Sequence, residues 1–585
     1  MRLFLYTNNM ALLQPLIDLA EICFAHGIRH VVISPGSRSA ALTLAFSRHD
    51  GFKTLVAMDE RSAGFVALGM AQQLQVPVVL ICTSGSAAYN YAPAITEAFF
   101  QQIPLLILTA DRPPEWIHQL DGQTIYQSEI YGKHVKKSFT IPSDYTHKDS
   151  LWMINRTVNE AVIFTLSKPC GPVHINVPIR EPFYPSPEEN FTISQNIRIV
   201  KKIESNAILS TETWNELLNE WDGFDKILIA GGQHKRSEKL NVSLVRISDE
   251  LGVAVLGDTI SNQAGSDNFI TYHDVFLPNS NSDKLRPELL ITYGLSFISK
   301  SLKQFLQKNA AIEHWHISED GFLVDTFFSL TRQIPVSAEY FFEQVFEKID
   351  YQHFVQGDDS DNIAAFNQDW IDANRKAKAI VIEELNNLSM LNDLTAVNFL
   401  LNELPDGAQL HIANSMPIRY VNALGDSSKH LEIFANRGTS GIDGCVSTAI
   451  GAALITSKPV YLLVGDVAFL YDRNGLLIEP LPANLRIIVL NNAGGNIFRM
   501  IDGPAALPEL ENYFETRHSF TAKRTAADSK ITYFEASDFN SLKIVMKGFM
   551  TNSTIGILEI FTDPVENAKA WKDFKKDIAG QWQNR

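Results

Sequence analysis

The strings "PVYLLVGD" (459–466) and "LRIIVLNNAGGNIF" (485–498) decide the fold. Each opens as an apolar run of strand length, and the stretch between them is the size of one helical crossover. Strands joined by helical crossovers read as a parallel sheet with helices on both faces. The first string breaks off at an aspartate, and the second ends in amides and bare backbone before turning apolar again. Open parallel sheets take ligands at the carboxyl ends of their strands, where loops present backbone N–H groups and helix N-termini. Asp466, the amide oxygen of Asn492 and a backbone carbonyl near Gly494 together supply hard oxygen ligands. Such a set suits Mg²⁺, which favours a carboxylate, a few neutral oxygens and phosphate oxygens. A metal-bridged diphosphate is the natural guest. The nearby "RGTSGIDG" (437–444) has N–H groups to offer it at a helix start.

Working outward, the same alternation recurs. Residues 409–563 also hold "QLHIANS", "EIFANRG" and "IGILEIF"; residues 30–180 hold "VVISPGS", "TLVAMDE", "VPVVLICT", "IPLLILTA" and "GPVHINVPI". A weaker set, "KILIAGGQ", "AVLGDT", "ELLITYG" and "HWHIS", lies between them. The expectation is an α/β protein of three doubly wound parallel-sheet domains, over 1–185, 195–355 and 370–585. The proline-rich 180–190 and the acidic 356–362 serve as linkers.

Composition narrows the function. A chain of 585 residues, 45% hydrophobic and 20% charged, is an ordinary globular protein long enough for several domains. Its 66 acidic against 50 basic residues, a net charge of -16, oppose a nucleic-acid or anionic-membrane surface. Cys23, Cys82, Cys170 and Cys445 are too scattered for a metal knuckle and too few for a disulfide framework, which fits a reducing cytoplasm. The N-terminal stretch has no signal-peptide pattern, and no apolar run reaches spanning length, so no membrane insertion is expected. The G-x-G of a dinucleotide site, the Walker lysine pattern and H-E-x-x-H are all missing. A Rossmann dehydrogenase, a P-loop ATPase and a zinc peptidase are therefore disfavoured.

G-D-x, about two dozen residues, then N-N resembles the metal–diphosphate motif of thiamine diphosphate enzymes, with Val467 where a third glycine is usual. "MDERSAGFVALGMA" (58–71) places Glu60 where this superfamily has its glutamate, at a strand end of a different domain. The resemblance implies that the three domains are pyrimidine-binding, central and diphosphate-binding. By the same resemblance, Glu60 hydrogen bonds N1′ of the aminopyrimidine so that the cofactor can lose its C2 proton. It also implies that Asp466, Asn492 and Gly494 hold Mg²⁺ or Mn²⁺. Asn414, Gly438, Ser440, Gly441 and Ile442 would line the cofactor, Ile442 being the bulky residue that bends it, and Ile497 and Phe498 would wall the reacting carbon. In the superfamily the pyrimidine and diphosphate domains of one site belong to different subunits, so a homodimer or tetramer is expected.

Adjacent histidines, frequent in decarboxylases of this superfamily, do not occur. Arginines stand in the strand-end loops instead, in "PGSRS", "TADRPPE", "NSMPIR" and "NRGTSGIDG", and a lysine in "FISK". Guanidinium groups suit bidentate recognition of carboxylates. In order, these strings are similar to those of the 2-succinyl-5-enolpyruvyl-6-hydroxy-3-cyclohexene-1-carboxylate synthases of menaquinone biosynthesis. That likeness implies decarboxylation of 2-oxoglutarate and conjugate addition of the remaining succinyl-semialdehyde unit to isochorismate. Ser415, Arg419 and Arg437 then act with Glu60 as the catalytic set and hold the 2-oxoglutarate-derived unit. Ser37, Arg38, Arg112, Gln123 and Lys300 face isochorismate. Ser301 stands where family members often have a second basic residue, and Gly122 where asparagine is common. Two rival readings remain, a carboligase of smaller 2-oxo acids resembling acetolactate synthase and a cofactor-binding scaffold without turnover. Taken singly, each residue has a plain structural role, Glu60 as a helix-start acid, Asp466 and Asn492 as caps. Their joint occurrence in chain order at strand ends is what points to a site.

Overall fold

The computed structural model describes residues 9–181, 184–185, 191–195, 197–280, 282–320, 322–349, 360–425, 430–501 and 503–584. Both expected linkers lie largely outside these residues.

Three sheets form, and every strand pair in them is parallel. The first contains β1 (His30–Ile33), β2 (Lys53–Val56), β3 (Val78–Cys82), β4 (Leu105–Asp111), β5 (Lys137–Thr140) and β6 (Val173–Pro178), in the order β2-β1-β3-β4-β6-β5. The second contains β7 (Ile227–Gly231), β8 (Ala254–Gly257), β9 (Leu289–Tyr293), β10 (Glu313–Ile317) and β11 (Arg332–Ile334), in the order β11-β10-β9-β7-β8. The third contains β12 (Gln409–Ile412), β13 (Glu432–Phe434), β14 (Val460–Gly465), β15 (Leu485–Asn491), β16 (Thr532–Ala536) and β17 (Gly556–Phe561), in the order β13-β12-β14-β15-β17-β16. The outer sheets share one topology, so the likeness of the two outer sequence blocks is a likeness of fold. All the motif-bearing strands lie in these sheets. The sequence reading lacked β5, β11 and β16, each an edge strand.

The sheets are not independent. One face of the first sheet (Val32, Leu80, Ile107) and one face of the third (Leu462, Ile487, Val489) contribute to a single buried core. Between them cross the Glu60–Leu74 and Cys445–Ala453 helices. A Cβ on Gly69 would stand 2.0 Å from the Thr448 carbonyl oxygen, and one on Gly451 2.0 Å from that of Val66. Two helix backbones therefore touch where only glycine fits. The opposite face of the third sheet (Leu410, Leu463, Ile488) shares a core with Leu228 and Leu290 of the second, bridged by Phe366 and Trp370 of the Ser360–Asn387 helix. The third sheet is thus held on both faces, which fixes its strand-end loops against both other domains.

Candidate active site

The loops after β14 and β15 meet as their sequence predicts. Asp466 is buried; its Oδ1 accepts from Val467 N at 2.7 Å and its Oδ2 from Gly494 N at 2.9 Å. Asn492 donates through Nδ2 to Asp393 Oδ2 at 2.8 Å, which turns its Oδ1 away from Asp393. That oxygen is buried and accepts no hydrogen bond among the described residues. Gly494 O accepts from Asn496 N at 2.9 Å, leaving a second lone pair. Asn496 is 5% exposed, and neither end of its amide has a partner among the described residues. Buried amides are ordinarily satisfied, so three orphaned polar atoms on one loop mark the place of a polar guest. A carboxylate, an amide oxygen and a carbonyl match the donor set of Mg²⁺. No cluster of three or more His, Cys, Asp or Glu side chains capable of holding a metal occurs among the described residues. By their donor atoms, Asp466, Asn492 and Gly494 fit a metal whose coordination is completed by phosphate oxygens.

Two neighbours escaped the sequence reading. Asp393 is fully buried and pushed up to about 6, mainly by that burial; Thr562 Oγ1 at 2.6 Å and Asn492 are its donors. His518 Nε2 lies 3.3 Å from Asp466 Oδ2. Neither stands in a motif, and both arrive from distant segments.

The loops after β12 and β13 form a second cluster. Arg437 Nη1 donates to Asn414 Oδ1 at 3.0 Å, while Asn414 Nδ2 donates to Asn436 O at 2.6 Å and Gly441 O at 2.7 Å. Arg419 turns back onto the Ser415 carbonyl. Ser415 (φ 76°) and Ser440 (φ 59°) adopt left-handed backbone, as does Ala493 (φ 62°) between the metal-loop residues. Such strain in non-glycine residues persists where surrounding structure enforces it. Ile442 packs on the shared core, Ile497 against the C-terminal core, and the Phe498 ring lies 5.7 Å from that of Phe514.

The glycine-rich loop behaves differently from the expectation at one end. Glu97, 1% exposed on the Ala92–Phe100 helix, accepts from Gly438 N at 2.7 Å, Thr439 N at 2.6 Å, Thr439 Oγ1 at 2.5 Å and Gln101 Nε2 at 2.5 Å. The Gly438 N–H is thus taken by a carboxylate of the first domain. This leaves Ser440, Gly441 and Ile442 as the part of the loop open to a diphosphate.

Burial, and then the neighbouring Arg419, depress the Arg437 pKa, with Asp258 and Glu97 opposing. Burial depresses Arg419 as well, with Asp274 opposing. Neither guanidinium contacts a carboxylate among the described residues. Two neighbouring cations with no carboxylate in contact among the described residues form a receptor for an anion.

In the first domain, Arg38 is 5% exposed and donates to Ile179 O at 3.0 Å. Its Nη2 lies 3.3 Å from Glu181 Oε1, and Arg112 Nη1 lies 4.0 Å from the same oxygen. Arg112 also pairs with Asp121 at 3.1 Å and donates to Gly122 O at 3.1 Å, beside Gln123 (φ 57°). The fold thus gathers Arg38, Arg112 and Gln123, with Ser37 exposed alongside. Glu181, invisible to motif reading, already sets a carboxylate between the two guanidiniums.

Lys300 is exposed at the start of the Lys300–Lys308 helix. Ser296 Oγ, in the loop leading to it, donates to Arg437 O at 3.2 Å, which ties that loop to the one carrying Arg437. No bond among the described residues links it to Arg38 or Arg112.

Glu60 opens its helix after Asp59, whose Oδ1 accepts from Ser62 N at 3.2 Å. Its carboxylate accepts from Asn90 Nδ2 at 3.2 Å and makes no bond to the third domain of its own chain among the described residues. On the segments beside it, Val56 (55% exposed), Met58 (62%) and Tyr89 are exposed, as is Tyr471, which stacks on Arg61.

Comparison with known proteins shows what the whole chain is similar to. A family model described as the N-terminal TPP binding domain of thiamine pyrophosphate enzymes matches residues 18–135. Another, described as the middle domain of thiamine pyrophosphate, matches 194–412. The chain is 45% identical over 570 residues to a 2-succinyl-5-enolpyruvyl-6-hydroxy-3-cyclohexene-1-carboxylate synthase of Cytophaga hutchinsonii, covering 97% of this chain and 99% of that protein. It is 35% identical over 574 residues to the protein so named in Flavobacterium johnsoniae (97% and 99% covered). With the Porphyromonas gingivalis protein of that name it shares 35% over 567 residues (97% and 97%).

Proposed function

Because the chain belongs to the family of 2-succinyl-5-enolpyruvyl-6-hydroxy-3-cyclohexene-1-carboxylate synthases, we propose that its strand-end loops bind thiamine diphosphate, Mg²⁺, 2-oxoglutarate and isochorismate through the residues singled out above. The protein is a thiamine diphosphate-dependent transferase of menaquinone biosynthesis. It decarboxylates 2-oxoglutarate and joins the succinyl-semialdehyde unit to isochorismate.

Thiamine diphosphate, when bound, would supply a carbon nucleophile for the 2-oxo group and a sink for the electron pair released with CO₂, and Mg²⁺ or Mn²⁺ would hold its diphosphate to the protein. Asp466, Asn492 Oδ1 and Gly494 O are the metal ligands. Asn414, Ser440, Gly441 and Ile442 bind and orient the cofactor, and Gly438 shapes the loop from behind through Glu97. Ile497 and Phe498 exclude water from the reacting carbon. Glu60 would hydrogen bond N1′ of the aminopyrimidine, so that the cofactor can lose its C2 proton. Ser415, Arg419 and Arg437 hold the carboxylates of 2-oxoglutarate. Ser37, Arg38, Arg112, Gln123 and Lys300 receive isochorismate, whose carboxylate displaces Glu181 from between Arg38 and Arg112. The domain limits 1–185, 195–355 and 370–585 belong to the same reading.

A second copy completes the site. Glu60 sits beside the exposed Val56, Met58 and Tyr89 and makes no bond to a metal-loop residue of its own chain among the described residues, which favours a homodimer, or a pair of dimers, with sites at the subunit interface. No helix of the described residues is long and apolar enough to cross a membrane. The four cysteines are free, three of them buried, which supports a cytoplasmic setting.

The observation that carries the substrate reading is the pair Arg419 and Arg437, close to each other and with no carboxylate in contact among the described residues. A monocarboxylate such as pyruvate would leave charge unmatched. The test is CO₂ release from 2-oxoglutarate by purified protein with thiamine diphosphate and Mg²⁺, with and without isochorismate. Release coupled to loss of isochorismate is expected. Release from pyruvate in preference to 2-oxoglutarate would move the assignment to carboligases of smaller acids, and silence with every substrate would favour a scaffold.

A further inference from the structure

We propose that Lys303 is a substrate-binding residue, the third cation of the pocket formed with Arg419 and Arg437, and that it binds the distal carboxylate of 2-oxoglutarate, the one not lost as CO₂. The inference rests on the 2-oxoglutarate reading of that pocket and adds a residue to it.

The geometry begins with the helix. Ser299 caps Lys300–Lys308 by accepting from Leu302 N at 3.0 Å. Leu302, Phe305 and Leu306 are its buried residues, so its core face is fixed. Lys303 lies three residues beyond Lys300, on the same side one turn along, and is half-buried where Lys300 is exposed. The loop before the helix is tied to the third domain twice. Ser296 Oγ donates to the Arg437 carbonyl at 3.2 Å, and Gln233 Nε2, on the neighbouring β7 loop, donates to Ala435 O at 3.1 Å. The helix start is therefore docked on the loop that carries Arg437.

Among the described residues, the carboxylates that act on this cluster, Asp258, Asp274 and Glu97, are engaged elsewhere. Asp258, fully buried, accepts from Ser299 N at 3.2 Å, Asn422 Nδ2 at 3.1 Å and the Ile298 amide, and pairs with His273 at 3.2 Å. Asp274 accepts from Ser299 Oγ at 2.6 Å. Glu97 holds Gly438, Thr439 and Gln101. The Lys303 ammonium meets no hydrogen-bond or ion-pair partner among the described residues. Burial, and then Arg437, depress its pKa, with Asp258 opposing. Arg437 thus has a cation on either side, Arg419 and Lys303, and among the described residues no carboxylate is in contact with any of the three. Such an arrangement is held by the fold at a cost in free energy, and a ligand carrying two carboxylates relieves it. Pyruvate carries one carboxylate, which decarboxylation removes; only the longer acid retains a charge for a third cation to bind.

The test compares Lys303→Ala and Lys303→Arg with the wild type, using 2-oxoglutarate and pyruvate in turn as donor with isochorismate as acceptor. Lys303→Ala should raise KM for 2-oxoglutarate about tenfold, which is about 1.4 kcal/mol of binding. It should narrow the preference for 2-oxoglutarate over pyruvate in kcat/KM by a similar factor. KM for isochorismate, the dissociation constant for thiamine diphosphate and Tm should stay as in the wild type, and Lys303→Arg should recover most of the loss. An unchanged KM for 2-oxoglutarate, a rise confined to isochorismate, or an equal loss with both donors would overturn the assignment. Absence of 2-oxoglutarate turnover in the wild type would instead defeat the proposed function, so the two failures are distinct.

Discussion

Asn496 buries a complete amide with neither end satisfied among the described residues, on the same loop as Asn492 and Gly494. An unsatisfied buried polar group costs roughly 1–3 kcal/mol, so the cofactor-free protein carries a penalty that the bound diphosphate and metal remove. Asn496→Ala should therefore leave Tm without cofactor unchanged or slightly raised, while weakening thiamine diphosphate binding about tenfold or more by calorimetry. Unchanged affinity together with a lowered Tm would show the amide to be structural. At this scale legibility was uneven. Asp466, Asn492 and Glu60 stood in strings whose residue types and strand-end positions announced a ligand. Asp393, Glu97, Glu181 and Lys303 did not, because each acts across tens to hundreds of residues of sequence. A lone acid in an amphipathic helix reads as solvated until the helix is seen packed against a glycine-rich loop.

Among elements, the interior strands were legible because burial on both faces leaves an uninterrupted apolar run; all seven residues of β4 and all seven of β15 are buried. The missed strands β5 ("KSFT"), β11 ("RQI") and β16 ("TYFEA") are edges, short and half-exposed, whose pairing partner rather than whose own composition makes them strands. The contact of the Cys445–Ala453 helix with the Asp466–Asp472 helix carries a pH prediction. Asp472 is fully buried and accepts from Ser447 N at 2.7 Å and Ser447 Oγ at 2.8 Å. Burial nevertheless pushes its carboxyl from 3.8 up to about 7. Its folded pKa lies above its unfolded one, so between those values the native state binds more protons than the unfolded state. Stability then falls as pH rises through this window, by up to about 1.4 kcal/mol per unit. Asp472→Asn loses part of the Ser447 pairing at every pH but escapes that slope. The Tm of the variant relative to wild type should rise between pH 5 and pH 8, and a difference independent of pH would show that Asp472 is ionised throughout.

At the scale of the whole molecule, one core joins the first and third sheets and another joins the third to the second, so the three domains of a chain form a single packed body. Within that body Glu60 remains on an open surface, with Arg61 Nη2 on the Tyr471 carbonyl and Asn474 Nδ2 on Asp59 at 2.8 Å holding its helix start against the third domain. The anchoring fixes where Glu60 points without bringing it to the metal loop of its own chain, as expected of a residue that serves a neighbour. If sites are shared, each site of a homodimer takes Glu60 from one protomer and Asp466 from the other. Glu60→Gln and Asp466→Ala homodimers should each be inactive for carboligation. A hybrid of the two has one doubly altered site and one intact site, the second assembled from the unmutated halves. Random pairing on co-expression makes about half the dimers hybrid, so the mixture should recover about a quarter of wild-type activity. Were each site built within one chain, both sites of every dimer would carry a lesion. Co-expression would then recover nothing, and the interface assigned to Val56, Met58, Tyr89 and Tyr471 would lose its catalytic meaning.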